Sequence, residues 1–261
     1  MRFHRIWAVV LRNMYVFRES FDRLSDIFYW PIIDLILWGI TSVYFKSLTV
    51  DTVPITMMIV SGIIFWTMTR RVQMEMSLGI LEDLWNRNLV NLFVAPLKVS
   101  EWIAALLGIG LLKALISGVF ATFVGYLLYK VGILAYGWYL GIFIFLLALN
   151  GIWLGFLVSG LLLRFGTKVQ AFTWSTIFIL APFSAVFYPV SILPYWAQII
   201  AKAVPTSYVF EAGRELLFTG KVDLQKFIIS MILSIFYTVL TYKFFTRSFK
   251  KVLERGLVNL Y

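Results

Sequence analysis

The stretch WYLGIFIFLLALNGIWLGFLVSGLLL, Trp138–Leu163, runs for 26 residues without a charge. At 1.5 Å per residue, a helix of that length exceeds the roughly 30 Å of a bilayer's hydrocarbon core. Five other stretches read the same way: Ile27–Phe45, Val53–Thr69, Trp102–Leu128, Gln170–Tyr188 and Leu224–Phe245. Only helices and closed barrels satisfy their backbone in lipid. The period-two alternation of a barrel strand is absent, so the expectation is an all-α integral membrane protein with six transmembrane helices.

Composition agrees. Of the 261 residues, 61% are hydrophobic and 14% charged, and the mean hydropathy is +0.87. Soluble domains carry about 45–50% apolar and about 25% charged residues. A soluble enzyme, a disordered chain and a nucleic-acid binder are all excluded on that ground. The net charge of +10 then reads as the cation excess of cytoplasmic loops. With the amino terminus inside, sixteen Lys and Arg fall on the inner side and six outside, with Lys113 inside a span. Both termini are therefore expected in the cytoplasm of a multi-pass plasma (inner) membrane protein. No cysteine is present and His4 is the single histidine, so thiolate and multi-histidine metal sites are excluded. The arginine-rich first 26 residues lack a signal-peptide pattern, and no cleavage is expected there.

Phe3, Trp7, Val10, Met14, Phe17, Phe21 and Leu24 form one apolar stripe at alternating spacings of four and three. This predicts an amphipathic interfacial helix over residues 1–26, the alternative being a short coiled coil or a helix packed on its own bundle. After the second span, residues 78–92 read as a cytoplasmic helix with Leu78, Leu81, Trp85, Leu89 and Leu92 on one side. Residues 188–222 are too short for two crossings and too apolar for an ordinary loop. Pro189, Pro194 and Pro205 divide them, which predicts a re-entrant helical hairpin at the outer surface. The organisation expected is a single transmembrane domain over 1–261. Its parts are spans one to five within 27–187, the hairpin, span six within 223–247 and a cytoplasmic tail from 248.

Charges inside spans are costly and mark function or pairing. Asp34 lies in the first span and Lys113 in the third, where a mutual ion pair is one outcome. Asn150 lies midway along the fourth and can hydrogen-bond across helices. Glu211, Arg214 and Glu215 stand at i, i+3 and i+4, which favours a structural or gating ion pair over a catalytic acid. These are the candidate translocation-path or gate residues: Asp34, Lys113, Asn150, Glu211 and Arg214. No phosphate-binding loop, HExxH or GxSxG occurs, and no internal repeat is visible. The chain therefore carries no recognisable ATP site and no catalytic set.

NRNLVNLFVAPLKVSEW (Asn86–Trp102) and YPVSILPYWAQIIAKAVPTSYVFEAGREL (Tyr188–Leu216), in this order of parts, resemble the permease subunit of a type-2 ABC exporter. The likeness covers nearly the whole chain. It implies a Pro-Leu turn at Pro96–Leu97 leading into the third span, and an outer hairpin carrying Pro205, Tyr208, Glu211 and Arg214. It further implies two permease copies, as homodimer or heterodimer, each engaging a separate cytoplasmic ABC ATPase that binds ATP and Mg. Asp83, Trp85, Asn86, Arg87 and Asn88 become the ATPase-coupling candidates, and the inner halves of spans one, two and five line the path. No cofactor is expected in this chain, and its other contacts are membrane lipids rather than nucleic acid. The expected cargo is hydrophobic or amphipathic (drug, lipid or antibiotic), the alternative being a polysaccharide or lipid-linked glycan. Two rival classes are a proton-coupled secondary transporter using Asp34 and an assembly protein without cargo.

Overall fold

The computed structural model of the chain describes residues 2–48 and 55–255. Val53, expected to open the second span, and residues 256–261 of the expected tail lie outside the described residues. The described residues form ten α-helices joined by turns and short 3-10 segments, with no strand among them. The helices are α1 (Phe3–Glu19), α2 (Phe21–Leu48), α3 (Ile55–Trp85), α4 (Leu89–Val94), α5 (Val99–Tyr129), α6 (Tyr139–Phe165), α7 (Phe172–Leu180), α8 (Tyr195–Ala203), α9 (Pro205–Thr219) and α10 (Leu224–Arg255). Five are long and apolar enough to cross a membrane: α2, α3, α5, α6 and α10.

α3 is the central helix, packed against α2, α5, α6 and α7, and most of its apolar window is buried. Close approach to α6 requires Gly151, where a Cβ would stand 2.6 Å from the Val72 Cβ and 2.8 Å from the Thr69 carbonyl oxygen. Asn150 beside it turns the other way. Its amide donates to the Leu146 carbonyl (2.8 Å) and to Ser234 Oγ of α10 (3.1 Å), and its Oδ1 accepts from Trp153 Nε1 (2.9 Å).

Several expectations are corrected. The separate helix over 78–92 does not exist as one piece: α3 continues unbroken from the span to Trp85, and α4 restarts at Leu89. Arg70 and Arg71, read as the start of an inner loop, instead lie buried within α3. The apolar row Met68, Val72, Met76, Ile80, Leu84 passes beside them at four-residue spacing, and all five are buried. That row carries the helix past the charges. At 31 residues α3 is about 46 Å long, some three turns more than a hydrocarbon core of about 30 Å needs.

The fifth span also differs. Helix α7 has nine residues, extended by a 3-10 turn at Ala181–Phe183, rather than nineteen over Gln170–Tyr188. Pro182 cannot donate to the ladder, and Ala185 adopts a left-handed φ of 56°, so the helix ends there. The segment still follows α3 for most of its length. Trp85 Nε1 donates to Gln170 Oε1 (3.0 Å), while Gly62 faces the carbonyl of Val186.

The helix expected over 1–26 is shorter. α1 ends at Glu19, and α2 begins at Phe21, six residues before the expected Ile27. Ser20 makes the break: its Oγ accepts from the Arg23 amide (3.4 Å) and its carbonyl from that of Leu24 (3.1 Å). On α1 the predicted stripe points largely outward, with Phe3, Trp7 and Met14 exposed, while Val9 is buried. In the segment expected at the outer surface, α8 and α9 are separate helices meeting at Val204–Pro205. α10 continues through residues 248–255, so the described part of the expected tail is helical.

Candidate functional site

Two regions concentrate charge and exposed polar groups: the turn that ends α3, and the ion pairs between α2, α3 and α5. The turn is a complete helix stop. The Arg87 amide donates to the Leu84 carbonyl (3.0 Å) and the Asn88 amide to the Asp83 carbonyl (2.8 Å), with Arg87 at φ 51° between them. This is the paired 5→2 and 6→1 closure of a Schellman motif, with arginine where glycine is usual. Asn88 Nδ2 also donates to Asp83 Oδ1 (3.1 Å), and Arg12 of α1 pairs with the same carboxylate at 3.2 Å.

Of the five coupling candidates, Trp85, Asn86 and Arg87 are exposed at the tip. Asn88 is half-buried, and Asp83 is 5% exposed, so its carboxylate is spent inside the turn. Trp85 lies near Trp174 of α7, ring centroids 6.4 Å apart and planes within 26°. The chain then returns through α4 and the Pro96–Leu97 turn to α5. There the Glu101 carboxylate accepts from the Lys98 amide (3.0 Å) and the Arg2 amide (2.8 Å), and Arg5 stands 3.8 Å away. One acid thus caps the amino ends of α1 and α5 together, where both helix dipoles favour a negative charge. Between α1 and the α4 turn runs a groove of about 340 Å³, floored by Val9 and Leu92 and edged by Arg5 and Arg12.

The charges expected inside the spans bind different partners, and the pair left open between Asp34 and Lys113 does not form. Arg70 reaches Asp34 at 2.7 Å, and Lys113 reaches Glu75 at 2.6 Å. Arg71 binds Asp26 and, at 3.5 Å, Glu75. α3 packs against both α2 and α5 and supplies both counter-charges. Arg23 pairs with Glu82 at 2.9 Å, so α2 is held to α3 over several turns of its length, from Arg23 through Asp26 to Asp34. Beside these pairs opens a cavity of about 530 Å³. Its walls come from Asn13 of α1, Arg23 and Asp26 of α2, Glu75, Glu82 and Trp85 of α3, Lys113 of α5 and Trp174 of α7. At the other end of α2, Trp38 stacks on Phe187 with centroids 4.3 Å apart.

The remaining candidates lie elsewhere. Asn150 sits fully buried between α6 and α10, away from the cavity. Arg214 of α9 donates to Glu211 (3.1 Å) and to the Ala185 carbonyl (2.6 Å), and Glu211 accepts from the Val190 amide (2.8 Å). That pair anchors α9 to the turn after α7. Glu215 turns to Lys226 instead, at 2.8 Å. Sequence reasoning missed Asp26, Arg70, Arg71, Glu75, Glu82 and Glu101. The i, i+4 spacing of Arg71 and Glu75, and the apolar row running past them, are the signals that mark a buried charged helix.

No group of three or more His, Cys, Asp or Glu that could hold a metal occurs among the described residues. The arrangement holds helices together and presents a polar cavity and a rigid tip; it contains no nucleophile–base pair. The model of the ABC-2 type transporter family matches residues 5–218, from α1 through nearly all of α9. No curated protein matches the chain. The match covers most of the chain and both regions described above. The chain is therefore a multi-pass membrane protein that belongs to the ABC-2 type transporter family.

Proposed function

We propose that the chain is the permease subunit of an ATP-driven exporter, working as a dimer with a separate cytoplasmic ATPase that supplies ATP and Mg. Permeases of this family work with such a partner, and this chain has no phosphate-binding loop of its own. The observation that carries the reading is the tip of α3. A stiff helix passes from the buried core to an exposed Trp85–Asn86–Arg87 turn without a break. A push on that turn moves the whole helix, and with it the ion pairs to α2 and α5. Asp83 and Asn88 shape the turn, and Trp85, Asn86 and Arg87 make the contact.

In this reading the α7 segment is the sixth crossing, with both termini in the cytoplasm of the plasma (inner) membrane. The cavity beside Glu75 and Glu82 is the inner end of the path. Arg214 and Glu211 hold the outer hairpin, which closes the other end. The cargo is amphipathic, since charged and apolar side chains share the cavity walls. A proton-coupled role for Asp34 finds no support in the geometry, because Arg70 already neutralises that carboxylate. The nucleotide state of the ATPase must change the relative stability of inward and outward forms, or no net transport results.

The test is to tag the chain, solubilise membranes gently and identify what co-purifies. A stoichiometric ATPase, lost when Trp85 and Arg87 are both replaced by alanine, is the expected result. A folded permease that retains no ATPase under several mild detergents would overturn the assignment.

A further inference from the structure

The charges in the walls of the inner cavity and directly behind them balance. Asp26, Glu75 and Glu82 stand against Arg23 and Lys113, and Arg71 completes the set by binding Asp26 and Glu75. With Arg71 counted behind the wall, three carboxylates thus balance three cations among the described residues. A ligand of net charge would leave one charge uncompensated in a half-buried site, and a wholly apolar ligand would strip water from the five ions of the walls with no return. A head group carrying both signs meets neither penalty: its cation turns to a carboxylate while its anion turns to Arg23 or Lys113.

Helix α5 shows where the rest of such a ligand goes. Leu106, Ile109, Lys113, Ile116, Phe120 and Phe123 recur at spacings of three and four, which places them on one face of the helix. The first three line the polar cavity. The last three line an apolar groove of about 560 Å³, with Phe28 of α2 edge-on to Phe120 at 4.8 Å. The groove continues the same face toward the membrane centre. We infer that the cavity is a binding site for the zwitterionic head group of a lipid-like amphipath, whose acyl tail lies along α5 in the Phe120–Phe123 groove. This rests on the cavity being a ligand site, as in the reading above, but it requires no ATPase and fails or stands separately.

The test uses the purified full chain in an uncharged maltoside detergent. Radiolabelled lysophosphatidylcholine, lysophosphatidylglycerol and an alkyltrimethylammonium of equal chain length are titrated by scintillation proximity. The zwitterion is expected to bind at least about tenfold more tightly than either charged analogue, the worth of one charge-assisted hydrogen bond. Glu82→Gln leaves the walls one unit positive and shifts preference toward the anionic lysolipid. Lys113→Gln leaves them one unit negative and shifts it toward the cation. Thermal melts of both variants check that they fold. Equal binding of all three probes by the wild type, or charge variants that move all three alike, would overturn the inference. So would full displacement by glycerophosphocholine at equal concentration, since the tail would then contribute nothing.

Discussion

Arg87 occupies the left-handed position that ends α3, a conformation that costs an L-residue about 1–2 kcal/mol. Arg87→Gly removes that strain, so its thermal midpoint in detergent should equal or exceed the wild type. If the guanidinium contacts the ATPase, the same variant loses co-purification despite its intact fold, which separates contact from shape. The Asp34–Arg70 pair makes an asymmetric prediction. The Arg70 side chain is 9% exposed and that of Asp34 27% exposed. Asp34→Asn strands a buried guanidinium and should cost about 3–5 kcal/mol in unfolding titrations, whereas Arg70→Met leaves a carboxylate that water still reaches and should cost less. Equal losses would mean that the pair is solvated on both sides.

At the scale of elements, stability lies where helices approach most closely. Gly151→Ala forces its Cβ onto Val72 and the Thr69 carbonyl, and α3 must move off α6. Overpacking of this kind costs about 1–3 kcal/mol and should lower the melting temperature of the purified protein. Glu101 joins two elements instead of packing them. Glu101→Ala leaves the Arg2 and Lys98 amides without their acceptor, so α1 should become accessible to limited proteolysis while α5 and α6 stay protected. Protection of α1 in that variant would assign its anchorage to Val9 and the Arg12–Asp83 pair.

For the whole molecule, the absence of native cysteine makes introduced ones unambiguous. A cysteine at Asn86 or Lys168 should react with an impermeant maleimide only from the cytoplasmic side, and one at Lys130 or Lys221 only from outside. Labelling of positions 168 and 221 from the same side would remove the crossing proposed for the α7 segment. A cysteine pair at Trp38 and Phe187, where the rings stack, should cross-link with a short bifunctional reagent in the resting complex. Cross-linking that declines when the ATPase is locked with nucleotide would place the moving contact at the outer end of α2.

Membrane helices follow from the chain alone because burial in lipid is a local demand: each twenty-residue window must satisfy its own backbone and side chains. The apolar runs around Trp138–Leu163 and Leu224–Phe245 meet it without help, and the structure has α6 and α10 there. The break before Pro205 is equally local, since proline lacks the donor a continuous helix needs. The ends of α3 and α7 are not local. A window containing Arg70 and Arg71 reads as an exit from the membrane; the apolar row from Met68 to Leu84 continues the helix past it, and the carboxylates of Asp26, Asp34 and Glu75 receive the two guanidinium groups. Asp34 and Lys113 each have several cations or acids within reach of a plausible packing. Their partners were decided by α3 packing against both α2 and α5 and presenting Arg70 to one and Glu75 to the other, which no pattern within either helix shows. Local chemistry chose the helices; ion pairs and close packing, which join residues far apart in the chain, chose their lengths, partners and cavity.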